Sequence, residues 1–256
     1  MWRGPVVAKR RDAVNAVKWK VFAIHAKLIA IAAQKWADPD MNASLHAAIV
    51  KAKKEWVPNE NIDRAVKKGS GADKSAAQIE QITYEWYAPG WVAVMATVLT
   101  DNKNRTVANI RHIFSKYSWT MGETWSVSWM FHRKWVIFID PAKHSYDSIE
   151  ETIFETNAED VIVEKDYIKV LTSLEDFNEV EKFLEDKWIE FIEAKIDFVP
   201  DNEVEVTDFD KALKIKKMIE AFNDDEDISE VATNEIIADE LDKEVEEFIE
   251  KNTFRS

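Results

Sequence analysis

The hydrophobic period changes once along this chain, and that change decides its fold class. Up to Gly69 apolar residues recur at helical spacing, as Val21, Ile24, Leu28 and Ile31, then Leu45, Ile49 and Ala52, then Ile62, Ala65 and Val66. Asp38, Pro39 and Asp40 separate the first two runs, and Pro58 with Asn59 opens the third. Three helices with short connections make a small bundle. Gly69 and Gly71 then stop the last helix in a flexible linker. Beyond them the period falls to two. Residues 82–87 and 91–99 predict a hairpin, 104–117 a helix with Val107, Ile110, Phe114 and Tyr117 inward, and 125–131 a strand. Next come strands at 136–139, 161–164, 167–172 and 189–199 with helices at 145–156 and 175–187, the β-α-β-β-α-β order of a ferredoxin-like sandwich. The class is α+β.

After Pro200 a short strand at 203–206, an amphipathic helix through Phe209, Leu213, Met218 and Phe222, and a strand at 228–233 are predicted. The acidic tail from 235 to 250 carries Ile237, Leu241, Val245 and Phe248 on one face, which predicts an extra packed helix.

Charge divides where the period does. Residues 1–76 hold fifteen Lys and Arg against seven Asp and Glu, a net of +8, while the other 180 residues hold nineteen against forty-one, a net of −22. A basic module on an acidic body suits a polyanion, because repulsion from the rest of the chain fixes which face meets it. The alternative is a solvated lysine-rich surface. The candidate contacts begin with a basic arm ahead of the bundle, Arg3, Lys9, Arg10 and Arg11, followed by Lys18 and Lys20. Lys51, Lys53 and Lys54 fall off the apolar stripe of the second helix, and Arg64, Lys67 and Lys68 near the end of the third. Lys67 and Lys68 would also favour the helix dipole.

For chemistry the chain offers little. There is no Cys, so no thiolate nucleophile, disulfide or Cys-based zinc site can form. The five His are scattered without metal-ligand spacing and read as surface or cap residues, and no phosphate-loop motif is present. The acidic run 224–227 reads as a solvated loop. In TDNKNRT (100–106), Asp101 marks a strand exit and Asn104 caps the next helix, leaving Arg105 free at a helix N-terminus for phosphate. No apolar run approaches the ~20 residues of a membrane span. A cytoplasmic protein without a membrane, cofactor, metal or small-molecule partner is expected.

Several ordered stretches resemble the YebC family, bacterial regulatory proteins whose mitochondrial relative is a translational activator of cytochrome c oxidase. They are AKLIAIAAQK (26–35), DPDMN (38–42), VPNENIDRAVKKGSG (57–71), TYE (83–85), PGWVAV (89–94) and TDNKNRT. The resemblance spans residues 1 to about 235. It implies a helical domain at 1–76, a discontinuous middle domain at 77–132 plus 200–235, a ferredoxin-like domain at 133–199 inserted within it, and the tail at 236–256. It implies a non-enzymatic, nucleic-acid-binding regulator of gene expression, in the older assignment a DNA-binding transcriptional regulator. The alternative is a ribosome-associated translation factor on structured RNA; a third reading is an acidic protein–protein adaptor. Ser44 and His46 depart from the family's usual Pro and Arg.

The same comparison exposes a compositional anomaly. The chain has eleven Trp and five Gly, where average usage of about 7% predicts roughly eighteen Gly. The family resemblance places Gly at Trp2, Trp19, Trp86, Trp91, Trp125 and Trp135, and makes it plausible at Trp36, Trp56, Trp119 and Trp188; only Trp129 reads as a native aromatic. WYAPGW (86–91) is a turn between apolar runs, where an indole is a poor substitute for a residue that accepts positive φ. A gene whose UGA codons mean glycine, translated as though they meant tryptophan, would give this pattern. Strain at Trp91 and Trp135 should then be worst.

Overall fold

A computed structural model describes residues 4–72, 77–117, 127–164 and 166–253, with side chains described from residue 18 to 252 within those segments. The protein is α+β, with two antiparallel sheets, a short two-stranded parallel ladder and eight α-helices among the described residues. Two compact units are formed, one from residues 1–127 together with 204–256 and the other from 128–203.

The first unit begins with α1 (Gly4–Ala33), α2 (Ala43–Lys54) and α3 (Asn59–Gly69). Helical backbone from Gly4 corrects the reading of a separate basic arm: Lys9, Arg10 and Arg11 lie on α1 itself, while Arg3 falls outside the described residues. Phe22, Ile29, Ala33, Leu45, Ala52 and Ile62 form the bundle core. Asn42 explains the DPDMN stretch. Its side chain accepts from Leu45 N at 3.1 Å to cap α2, and its amide donates to the Ala32 and Trp36 carbonyls at 2.9 and 2.7 Å, so one residue starts α2 and holds the end of α1. Gly69 does more than stop α3. A Cβ there would stand 2.1 Å from the Ala30 carbonyl oxygen, so only glycine allows the two helices this approach.

β1 (Glu80–Tyr87), β2 (Ala93–Thr100) and α4 (Lys103–Lys116) follow. β1 and β2 pair antiparallel across a Pro89–Gly90–Trp91 turn, so Trp91 belongs to the turn and not to the strand the sequence predicts.

The second unit contains β3 (Phe131–Ile139), α5 (Tyr146–Phe154), β4 (Asp160–Val163), β5 (Ile168–Thr172), α6 (Phe177–Asp186) and β6 (Phe191–Pro200), with sheet order β4-β5-β3-β6, all antiparallel. That is the ferredoxin-like arrangement. Ile149, Ile153, Phe177, Val180 and Leu184 of the helices bury against Ile137, Ile139, Ile168 and Val170 of the sheet. Ser128–Met130 is a 3₁₀ turn, which corrects the predicted strand at 125–131; its 118–126 neighbours lie outside the described residues. Trp135 sits inside β3 opposite Thr172 and Ile196, its ring stacked 3.8 Å from Phe177. The backbone strain expected at Trp135 is therefore not found, because a strand asks nothing special of its φ.

The chain returns to the first unit with β7 (Val204–Glu205), α7 (Phe209–Asp224), β8 (Ile228–Thr233), β9 (Glu235–Ile236) and α8 (Asp239–Thr253). β8 completes a three-stranded sheet, β1-β2-β8, leaving β2 central. Every residue of β2 is buried. Val94, Ala96 and Val98 face a core shared with Ile110 and Phe114 of α4 and Ile215, Met218 and Phe222 of α7. Leu99 instead packs with Ile79 and Ala30, against Ile24, Leu28 and Ile31 of α1. The helical run Val21, Ile24, Leu28 and Ile31 thus marks the seam between α1 and the sheet as much as the bundle core. Val245 of α8 is fully buried in the α4/α7 core, with Ile237 and Leu241 against it. Among the described residues no helix is long and apolar enough to cross a membrane.

Candidate nucleic-acid interface

TDNKNRT is the residue run that ties the basic helices to the sheet. Asn102, not Asn104, caps α4, accepting from Arg105 N at 3.1 Å. β2 runs one residue past the predicted end, to Thr100, while α4 already begins at Lys103, so the cap falls to Asn102. Arg105 is not free. Its guanidinium lies 2.9 Å from Asp227 Oδ2 and 3.2 Å from Asp101 Oδ1.

Asp227 is the centre of this cluster and corrects the reading of 224–227 as a solvated loop at its last member, while Asp224 and Glu226 are exposed. Only 5% exposed, it accepts from Lys27 Nζ of α1 at 2.8 Å, from Thr106 Oγ1 at 2.9 Å and from Arg105. Thr106 Oγ1 also lies 2.8 Å from Thr100 Oγ1, which accepts from Asn102 N at 2.9 Å. Burial disfavours the charged carboxylate, but the hydrogen bonds from Lys27, Arg105 and Thr106 outweigh it, and the Asp227 pKa is lowered. Nothing in an acidic run marks its last member as a core anion; the signal would have been a complementary Lys two hundred residues away.

This cluster sorts the candidate cations. Lys27, which the sequence reading did not single out, is bound to Asp227 and to the Glu226 carbonyl at 2.7 Å. Lys20 donates to the Asn223 carbonyl and is half-buried beside Asp224 and Asp225; burial lowers its pKa against those acids. Lys68 stands 3.5 Å from Asp101. These cations, with Arg105, hold the helices to the sheet.

The others point away from it. Lys51, Lys53 and Lys54 are exposed on the last turn of α2, a helix with no acid in it, and none has an ion pair among the described residues. Arg64 and Lys67 are exposed on α3, sharing a surface depression with Glu60 and Asp63. Arg64 also lies with Lys68 on the rim of an open groove of about 390 Å³, floored by Phe22, Ala23, Ala26, Ala65 and Ile79. Lys18 is exposed, its ammonium 5.4 Å from the Phe22 ring. The side chains of Lys9, Arg10 and Arg11 lie outside the described residues.

His25 is not a surface residue. It is 7% exposed in α1, and burial, then the nearby charge of Lys51, lowers its pKa. His132 pairs with Asp201 at 2.8 Å, and His144 Nε2 accepts from Glu190 N at 3.1 Å.

Comparison with known proteins places this arrangement. Residues 5–72 match the family described as "TACO1/YebC protein N-terminal domain", and residues 79–235 match "TACO1/YebC second and third domain". Proteins named "Probable transcriptional regulatory protein" from Halothermothrix orenii and Maridesulfovibrio salexigens are 40% and 41% identical over 89% and 94% of this chain, covering 91% and 96% of theirs. Its counterpart of the same name from Syntrophomonas wolfei is 44% identical over 87% of this chain and 90% of its own. The crystal structure of a conserved hypothetical protein from Aquifex aeolicus superposes with a TM-score of 0.72 at 35% identity, covering 86% of this chain and 90% of that one. With both halves of the chain matched in order and relatives aligned nearly end to end, the protein belongs to the TACO1/YebC family.

Proposed function

We propose that this protein is a nucleic-acid-binding regulator of gene expression that acts by binding rather than catalysis, and that it grips phosphate through outward cations of its N-terminal helices, Lys51, Lys53 and Lys54 on the last turn of α2 with Arg64 and Lys67 on α3. One observation carries the reading: the cations of the N-terminal helices fall into two sets, one consumed by carboxylates and carbonyls at the end of α7 and in the loops beside β2 and β8, the other exposed and without ion pairs among the described residues. Lysines left unneutralised at the end of an acid-free helix suit a polyanion, since each phosphate neutralised releases condensed counterions. The relatives are named probable transcriptional regulatory proteins, which supports a role in regulating transcription. Lys9, Arg10 and Arg11 add three positive charges to α1, and the acidic remainder keeps nucleic acid off the rest of the chain. We place its action in the cytoplasm.

The test is a salt titration of binding by the full chain to duplex DNA and to ribosomal RNA. Replacing Lys51, Lys53 and Lys54 with Ala should flatten the log–log salt slope by about two to three, close to 0.9 per phosphate contact on DNA. Preference for ribosomal RNA would move the protein from transcription to translation. Unchanged slopes on both ligands would refute the interface, and absence of binding at low salt would leave a protein–protein adaptor.

A further inference from the structure

Among the described residues, the non-glycine residues at positive φ are Trp56, Trp91 and Trp188, at 60°, 66° and 61°. Left-handed backbone in non-glycine residues ordinarily falls to Asn and Asp, and is a severe outlier for a bulky side chain. Three indoles there, and no other residue type, call for a common cause.

Two of the three occupy the same motif. At the end of α2, Trp56 N donates to Lys53 O at 3.1 Å and Val57 N to Ala52 O at 3.0 Å. At the end of α6, Trp188 N donates to Glu185 O at 2.9 Å and Ile189 N to Leu184 O at 2.9 Å. Each is a complete Schellman ending, with its apolar pair, Ala52 with Val57 and Leu184 with Ile189, buried beside it. The left-handed position of that motif is the one glycine favours, since a Cβ there is penalised. Trp91 follows Gly90 (φ 85°) in the hairpin, where Trp91 N donates to Ala88 O at 3.0 Å and Ala88 N to Val92 O at 2.6 Å; closing the loop requires two successive left-handed residues. These side chains are turned to solvent, although the Trp91 ring meets Tyr87 edge-on at 5.9 Å. Trp56, Trp91 and Trp188 are 84%, 74% and 87% exposed. Trp86 fails differently: its ring is buried, yet its Nε1 has no acceptor among the described residues.

We propose that the protein made in its own cell carries glycine at positions 56, 91 and 188, and at the other anomalous tryptophans, because UGA codons there are read as glycine. The backbone already has the conformation glycine would give. The chain's shortage of Gly and surplus of Trp then have one origin.

A functional consequence follows, and unlike the residue assignment it rests on the nucleic-acid reading. Trp19 on α1, Trp36 in the loop after it and Trp56 in the turn after α2 are exposed and would pass for a stacking platform for unpaired bases. With glycine at those positions the platform is gone, and recognition is left to phosphate contacts and groove shape.

The deciding experiment is mass spectrometry of peptides from the protein isolated from its native host, with the gene sequenced in parallel. Peptides covering positions 56, 91 and 188 should have the mass of glycine, over TGA codons, while Trp129 is read from TGG as tryptophan. Tryptophan at any of those three positions in the native peptides overturns the proposal. Because the readout is residue identity, a failure of nucleic-acid binding does not affect it.

Discussion

Replacing Asp227 with Ala should be among the most damaging single changes in the first unit. The carboxylate is 7% exposed and its partner Lys27 20%, so this pair is largely withdrawn from water. Removing one member of a buried pair costs roughly 3–5 kcal/mol. Lys27 keeps the Glu226 carbonyl at 2.7 Å, which places the loss near the lower end, about 3 kcal/mol. The arm to Arg105 adds little, because that side chain is 51% exposed and exposed ion pairs contribute about 0–1 kcal/mol. For a unit of this size each kcal/mol moves the melting midpoint by about 2–4 °C, so a fall of about 6–12 °C is expected at pH 7. Arg105→Ala should move it by no more than about 4 °C. Since the folded pKa of Asp227 is lowered, the folded state binds its proton less tightly than the unfolded chain does. Its stabilisation is thus present above the ordinary carboxylate pKa of about 3.9 and lost as pH falls below it. Melting followed by circular dichroism across pH 3–7 reads both effects. If Arg105→Ala costs as much as Asp227→Ala, or if the variant and wild type keep the same separation at pH 3 as at pH 7, the assignment of Asp227 as the buried anchor is wrong.

Gly69→Ala should destabilise the helical bundle by about 1–3 kcal/mol, as overpacking does, because its Cβ would collide with the Ala30 carbonyl and not with a flexible side-chain tip; denaturant unfolding of the full chain measures it. Joint substitution of Trp56, Trp91 and Trp188 by Gly should raise the melting midpoint, since relief of about 1–2 kcal/mol at each left-handed residue exceeds the backbone entropy glycine adds; a lower midpoint would count against strain at these turns. His25 has a lowered pKa, so the unfolded chain takes up its proton first and stability should fall as pH drops below about 6.5. His25→Gln should remove that part of the pH dependence, read from melting curves between pH 5 and 8.

Much of the architecture was legible because local pattern and final environment agree. The β-α-β-β-α-β run folds within itself, and its strands and helices fall close to where alternation and amphipathicity put them. Pairings between distant segments were not legible. β8 joins β2 from more than a hundred residues away, and α1 reads as an ordinary bundle helix although its second face covers the sheet through Ile24, Leu28 and Ile31. The candidate interface suffered from the same limit. Lys20, Lys68 and Arg105 look like Lys53 or Arg64 in sequence, and only the carboxylates and carbonyls that meet them distinguish a structural cation from an available one. The tryptophan anomaly was visible from composition, but its energetic weight was misplaced: Trp135 lies relaxed in a strand, while Trp56 and Trp188 carry the strained helix ends.

The order of synthesis gives the discontinuous first unit a vulnerability during its birth. β2 leaves the ribosome with β1 on one side, but β8 begins about 130 residues later. At typical elongation rates that is roughly 6 to 25 seconds. Throughout that interval the inserted unit can fold completely while β2 offers an open, mostly apolar edge to any neighbouring nascent chain. Slowing translation between codons 101 and 227 should therefore increase aggregation of the newborn protein, whereas the same slowing after codon 233 should not.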